Sequence, residues 1–130
     1  MTTPNQSFFI HALLPNLNDM ISAAKARRGA WSRYTDMKLA YGVVCKHDIR
    51  AAQITPCVQP VTVQFVWHEK STKRDPDNIC AGQKFVLDAL VALKILRNDG
   101  WADIIGLTHT WLVDPAHPGV AVTLIQQEQH

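Results

Sequence analysis

Apolar and polar positions along the 130-residue chain change period several times, and each period names an element. Phe8 to Leu14 is a compact apolar stretch stopped by Pro15, the pattern of a strand running into a turn. Asn16, Asn18 and Asp19 then offer helix N-caps ahead of Met20, Ile21, Ala23, Ala24 and Ala26, which predicts a helix that falters at Gly29. A second helix is expected from about Tyr34, because Met37, Leu39, Ala40, Val43 and Val44 recur at near-helical spacing up to the polar stretch Lys46 to Arg50. Pro56 and Pro60 mark a loop. From Val61 the period becomes two: Val61, Val63, Phe65 and Trp67 alternate with Thr62, Gln64, Val66 and His68, as in a strand with one face more apolar than the other.

Beyond the polar segment Glu69 to Asp77, the residues Ile79, Val86, Leu90 and Leu93 form one stripe of a third helix. Gly100 interrupts. Ile104 to Val113 and Val120 to Ile125 read as two strands, expected to pair as a hairpin through the loop Asp114 to Gly119. The order β-α-α-β-α-β-β predicts an α+β fold: one domain over residues 1–130, with helices packed on a mixed or mainly antiparallel sheet.

Composition agrees with a single core. A chain of this size with 47% hydrophobic residues fits one domain. No apolar run approaches the ~20 residues of a membrane span, and the N-terminus lacks the basic-then-apolar pattern of a secretory signal, so a soluble, cytoplasmic protein is expected. Cys45, Cys57 and Cys80 are odd in number and irregularly spaced, which points to buried or free thiols and a reducing compartment. Thirteen Lys and Arg against eleven Asp and Glu leave a net charge of only +2. The distribution says more. Lys25, Arg27, Arg28 and Arg33 cluster, Lys70, Lys73 and Arg74 form a second group, and the last 30 residues hold no Lys or Arg. Such local patches suit a phosphate backbone, although isolated basic groups are also ordinary solvated side chains.

The richest chemistry lies in Lys73-Arg74-Asp75-Pro76-Asp77-Asn78, between a strand and a helix. Pro76 biases Asp75 to extended geometry, in which residues two apart point the same way, so Asp75 and Asp77 are expected to converge on one hard cation. Mg²⁺ takes one or two carboxylates and keeps its other positions for water and phosphate. The same residue types also serve as turn and cap residues. On the helix, Asp77, Lys84 and Asp88 fall opposite the apolar stripe, and Lys84 with Asp88 makes an i,i+4 pair. Asp99 follows the helix in Arg97-Asn98-Asp99-Gly100-Trp101.

Taken in order, Arg74-Asp75-Pro76-Asp77-Asn78-Ile79, Lys84-Phe85-Val86-Leu87-Asp88-Ala89-Leu90 and Asn98-Asp99-Gly100-Trp101 resemble the core signature of the RusA family of Holliday-junction resolvases. Leu14-Pro15-Asn16-Leu17-Asn18 and the basic helix containing Lys38 are similar to that family's N-terminal half. The resemblance implies a RusA-like fold and a homodimer that cuts four-way and other branched DNA with Mg²⁺, or Mn²⁺ as substitute, in recombination and repair, in a prophage setting. It implies Asp75, Asp77 and Asp99 as metal-binding catalytic acids and Lys84 as the essential lysine. One departure is plain: in the founding branch the lysine stands four residues after the second acid, where this chain has Ala81, so three residues are inserted before Lys84.

Arg74 and Lys73, beside the first acid, are expected to meet DNA phosphates. Arg27, Arg28 and Arg33, interleaved with Trp31, are expected to meet phosphates or an unstacked base. Cys45, His47, Cys57 and His68 do not fall at zinc-site spacings, and His109 reads as structural before it reads as a general base. Two other functions fit the same residues: a module that binds branched DNA without cutting, and a general flap or single-strand nuclease.

Overall fold

The computed structural model describes residues 5–28 and 31–128. Its elements follow the predicted order with one small addition. The first strand, β1 (Gln6–Ile10), leads through Pro15 into α1 (Leu17–Lys25). Asn16 caps this helix through a reciprocal pair: the Asp19 N–H donates to Asn16 Oδ1 at 2.9 Å, and the Asn16 N–H donates to Asp19 Oδ2 at 3.1 Å. Two short strands, β2 (Arg27–Arg28) and β3 (Trp31–Ser32), pair with each other and were not foreseen. Then come α2 (Arg33–Ala51) and β4 (Val61–Glu69). The predicted third helix is divided into α3 (Pro76–Ile79), a single 3₁₀ turn at Cys80–Gly82, and α4 (Gln83–Ala92). The chain ends with β5 (Ile104–Val113) and β6 (Gly119–Gln126).

Four strands form a mixed sheet in the order β1-β6-β4-β5. β6 is antiparallel to both β1 and β4, whereas β4 and β5 run parallel. The domain is therefore α+β, as expected, but the C-terminal hairpin is not there. β6 lies on the far side of β4 from β5. Two causes fit. The connection carries Pro115 and Pro118, which lack donors and do not build a two-residue turn, and five residues easily step over one strand, a distance of about 10 Å. The most apolar strands also gain most at the centre: Val61, Val63, Phe65 and Trp67 of β4 and Val120, Val122 and Leu124 of β6 are all buried.

Helices cover one face of the sheet. Ile10, Phe65 and Trp67 meet Cys45 and Ile49 of α2 and Phe85, Val86 and Leu90 of α4 in one core cluster. Helix α4 buries Phe85, Leu87 and Ala89 as well as Val86 and Leu90 of the predicted stripe, so it is wedged on more than one side. Burial pushes the Cys45 thiol up to about 12, and the charge of Asp48 adds to this, so the group is inert packing. Among the described residues, no helix is long and apolar enough to cross a membrane.

Candidate functional site

Parallel β4 and β5 need a helical crossover, and the turn leaving the carboxyl end of β4 carries the acids. That end of β4 is held by an unusual residue. Glu69 occupies a core-facing position of the alternation, where its side chain is only 7% exposed. A buried carboxylate needs a cation. Arg74 supplies one: its Nε donates to Oε1 at 2.9 Å, Nη2 donates to Oε2 at 3.2 Å, and Nη1 donates to the carbonyl of Leu14 at 2.9 Å. The expected phosphate ligand is thus first an internal strut that ties the acidic turn to β4 and to the segment before α1. Arg74→Ala leaves Glu69 buried and unpaired, and is expected to cost about 3–5 kcal/mol, measured as a fall in denaturant midpoint.

Asp75 has the extended geometry predicted for a residue before proline, φ −78° and ψ 141°, and is the N-cap of α3. Its carboxylate makes no capping bond. Asp77 differs from expectation. It lies inside α3, two residues past the cap, and not in an extended run, so strand alternation does not align it with Asp75. Its Oδ1 accepts the N–H of Asn78 at 3.0 Å. Both acids are exposed at the same helix start, and neither has a cationic partner among the described residues.

The 3₁₀ turn Cys80–Gly82 is three residues long, the length of the insertion that the resemblance implies. Three 3₁₀ residues advance ~6 Å and return to the same azimuth, so Lys84 stays on the exposed face it would occupy without them. Its Nζ pairs with Asp88 Oδ1 at 3.3 Å, the surface ion pair that the spacing predicted. Gly82 is what allows the turn to seat, because an added Cβ would lie 3.1 Å from Leu14 Cβ and 3.3 Å from both the Pro15 carbonyl and the Trp67 ring.

Behind the turn, His109 of β5 stacks on Phe65 at 4.9 Å between ring centres. Trp67 Nε1 donates to His109 Nδ1 at 3.0 Å, which leaves the proton on Nε2 facing Gln83 Oε1 at 3.2 Å. Burial lowers the His109 pKa, so the ring is neutral and holds the first residue of α4 to the sheet.

Asp99 stands apart from the other two acids in the fold. The turn at residues 98–103 precedes β5, and the Val61 N–H donates to the Asp103 carbonyl at 2.9 Å, which fixes this turn at the start of β4. Asp75 and Asp77 follow the end of β4. The length of β4 lies between the two places along the sheet, and Asp99 shares a groove with Leu87 of α4 and Trp101, not with the turn that carries Asp75. One chain therefore does not bring Asp99 to the other two acids. Among the described residues, no group of three His, Cys, Asp or Glu side chains could hold a metal ion.

Of the predicted DNA ligands, Lys73 is exposed on the acidic turn. Arg33 opens α2 and lines a groove of about 760 Å³ shared with Arg74, Asp19, Asp36 and Tyr41. The side chains of Arg27 and Arg28 lie outside the described residues. No protein-family model matches the chain, and no curated protein matches it.

Sequence reasoning missed the apolar character of the outer edge. Ile105 is 53% exposed and Trp101, in the turn beside Asp99, is 98% exposed, with Leu107, Trp111, Leu112 and Val113 also open. Six such residues on and beside one ten-residue edge strand form a ready pairing surface. The signal was present: Ile105, Leu107, Trp111 and Val113 form an apolar row on alternate positions of β5.

Proposed function

We propose that the protein is a Mg²⁺-dependent endodeoxyribonuclease of the RusA type that resolves four-way DNA junctions as a homodimer. The observation that carries this reading is the pair of exposed, cation-free carboxylates, Asp75 and Asp77, on a turn braced by the Glu69–Arg74 pair and flanked by Lys73 and Lys84. Hard carboxylate oxygens suit Mg²⁺, with Mn²⁺ as a substitute. When bound, such an ion polarises a phosphodiester and acidifies water. The chain's own residues then have simple tasks: Asp75 and Asp77 hold and orient, Lys73 draws in the phosphate backbone, and Lys84 neutralises charge on the scissile phosphate after leaving Asp88.

Dimerisation supplies the missing acid. If the β5 edges of two copies pair antiparallel about a two-fold axis, Ile104 of one comes beside Val113 of the other. Val113 is in register with Glu69, so the partner's Asp99 arrives at the end of β4 that bears Asp75 and Asp77. Each site is then built from two chains, and two sites face the two-fold symmetry of a four-way junction.

A binding module without catalysis is the second reading, favoured by the lack of a three-ligand group within the described residues of one chain. Incubation with an end-labelled synthetic junction decides between them. Paired nicks in Mg²⁺ and none in EDTA support the nuclease, whereas tight binding with no nick in either leaves the module. Competing forks and linear duplex expose a general flap nuclease if they are cut as fast as the junction.

A further inference from the structure

The face of the sheet turned away from the helices carries a second constructed site. We propose that the pocket formed there by Phe9, His11, His68, Asp114, His117 and Pro118 holds an unstacked nucleobase of the DNA substrate, an inference that rests on the DNA-cleaving function proposed above.

The register builds the pocket. Phe9 on β1 stands opposite Ala121, and His68 on β4 stands opposite Gly119, so the two rings rise on either side of the small residues of β6. Their centres are 5.2 Å apart and the planes are nearly perpendicular, at 85°. On the other side, His11 lies 4.9 Å from Phe9. Gly119 makes room for this arrangement. Its φ is +149°, and a Cβ there would fall 2.2 Å from the Ile10 carbonyl and 2.6 Å from the Phe9 ring. The phenyl ring is therefore laid across a glycine.

Polar groups line the rim. Asp114 Oδ2 lies 3.2 Å from His68 Nδ1, and Oδ1 lies 3.5 Å from His117 Nδ1. Burial raises the Asp114 carboxyl, but the hydrogen bonds from His68 and His117 and the charge interaction with His117 outweigh it and hold the group below the usual carboxylate range. An ionised acceptor between two imidazoles can meet both donors and acceptors on a base edge.

Three features select the ligand class. The cavity, about 570 Å³, is far larger than a bare ion needs. No Lys or Arg lines it, so an isolated phosphate lacks its usual partners. Aromatic walls on an uncovered sheet face are a physical means of stacking unpaired bases, which tolerates any base because each has a π-face.

The location suits a junction. His68 directly precedes Glu69, whose side chain crosses to the other face and holds Arg74 beside Asp75, and the Asp114 N–H donates to the Glu69 carbonyl at 2.8 Å. The pocket and the acids therefore occupy two faces of one strand end. Where four duplex arms meet, base pairs at the crossing lose stacking partners, and this end of the sheet can take one displaced base while the acids address the backbone.

The test uses the whole protein in EDTA, titrated with a short single-stranded oligothymidylate and with a fully paired duplex. Phe9→Leu should weaken oligothymidylate binding about 5- to 100-fold and leave duplex binding within about twofold, while Phe9→Tyr keeps both. Unchanged oligothymidylate affinity in Phe9→Leu at the wild-type melting temperature overturns the proposal, and so does an equal loss on both probes. Should Phe9→Leu fold poorly, NMR on the wild type gives the answer: the ring signals of His68 and His117 must move on adding oligothymidylate, and signals that stay fixed overturn it. Junction cutting in Mg²⁺ is read separately. A protein that cuts while Phe9→Leu binds single strands normally loses only this pocket, and one that binds through Phe9 but never cuts loses only the nuclease function.

Discussion

Asp75→Asn and Asp77→Asn are each expected to reduce junction cleavage in Mg²⁺ by about 10³-fold or more, while unfolding within about 0.5 kcal/mol of the wild type. The rate falls because an amide keeps the shape of the side chain and removes the charge that a hard cation requires. Stability is spared for a structural reason. Both carboxylates are exposed, Asp75 makes no capping bond, and neither has a cationic partner to lose among the described residues. Junction binding in EDTA should survive and tighten, since each change removes a negative charge from a surface meeting phosphates. Asp88→Asn supplies the contrast. It releases Lys84 from a 3.3 Å surface pair whose contribution is a few tenths of a kcal/mol, so cleavage should change little. Single-turnover rates for the three variants, beside their EDTA affinities, decide the matter. Wild-type cutting by Asp75→Asn or Asp77→Asn would remove the active site from this turn and leave a DNA-binding module.

Local order was more legible in the chain than pairing. The alternation from Val61 to Trp67 specified a strand and its buried face, and that face extends one residue further to Glu69, an acid at a core position. The same parity rule, applied one step longer, would have demanded a buried partner and pointed to Arg74 five residues on. The hairpin failed because periodicity reports which face is buried and not which strand lies alongside. Pro115 and Pro118 argued against a tight turn, and the apolar excess of β5 argued for an unfilled edge. The acids show the same limit. Asp75 took the extended geometry that Pro76 imposes, yet Pro76 is also a favourable first helical residue, and helix formation at Pro76–Ile79 removed Asp77 from the strand alternation. Asp99 was placed by topology alone: the parallel pairing of β4 and β5 puts the turn before β5 at the opposite end from the turn after β4.

That opposition gives the sharpest test of the dimeric site. Mixed as unfolded chains and refolded together, Asp75→Asn and Asp99→Asn, each inactive alone, should recover cleavage. In a mixed dimer with sites built across the interface, one site combines both substitutions and the other is fully wild type. With random pairing half of the dimers are mixed, so about one quarter of the wild-type site concentration returns. The product should also differ in kind, because a mixed dimer has one working site: it nicks a single strand of the junction and does not complete the paired cut. Sites confined to one chain predict no recovery at any mixing ratio, since every chain carries a defect. A second variant separates assembly from chemistry. Leu107→Lys with Trp111→Lys places charge on the exposed β5 edge, far from Asp75 and Asp77 in sequence, and should yield a monomer by light scattering that neither binds Mg²⁺ at the acids nor cuts DNA. A monomer of that variant with wild-type cleavage, or a mixture of the two inactive chains that stays silent, would return the site to a single chain and set aside the pairing of β5 with its copy.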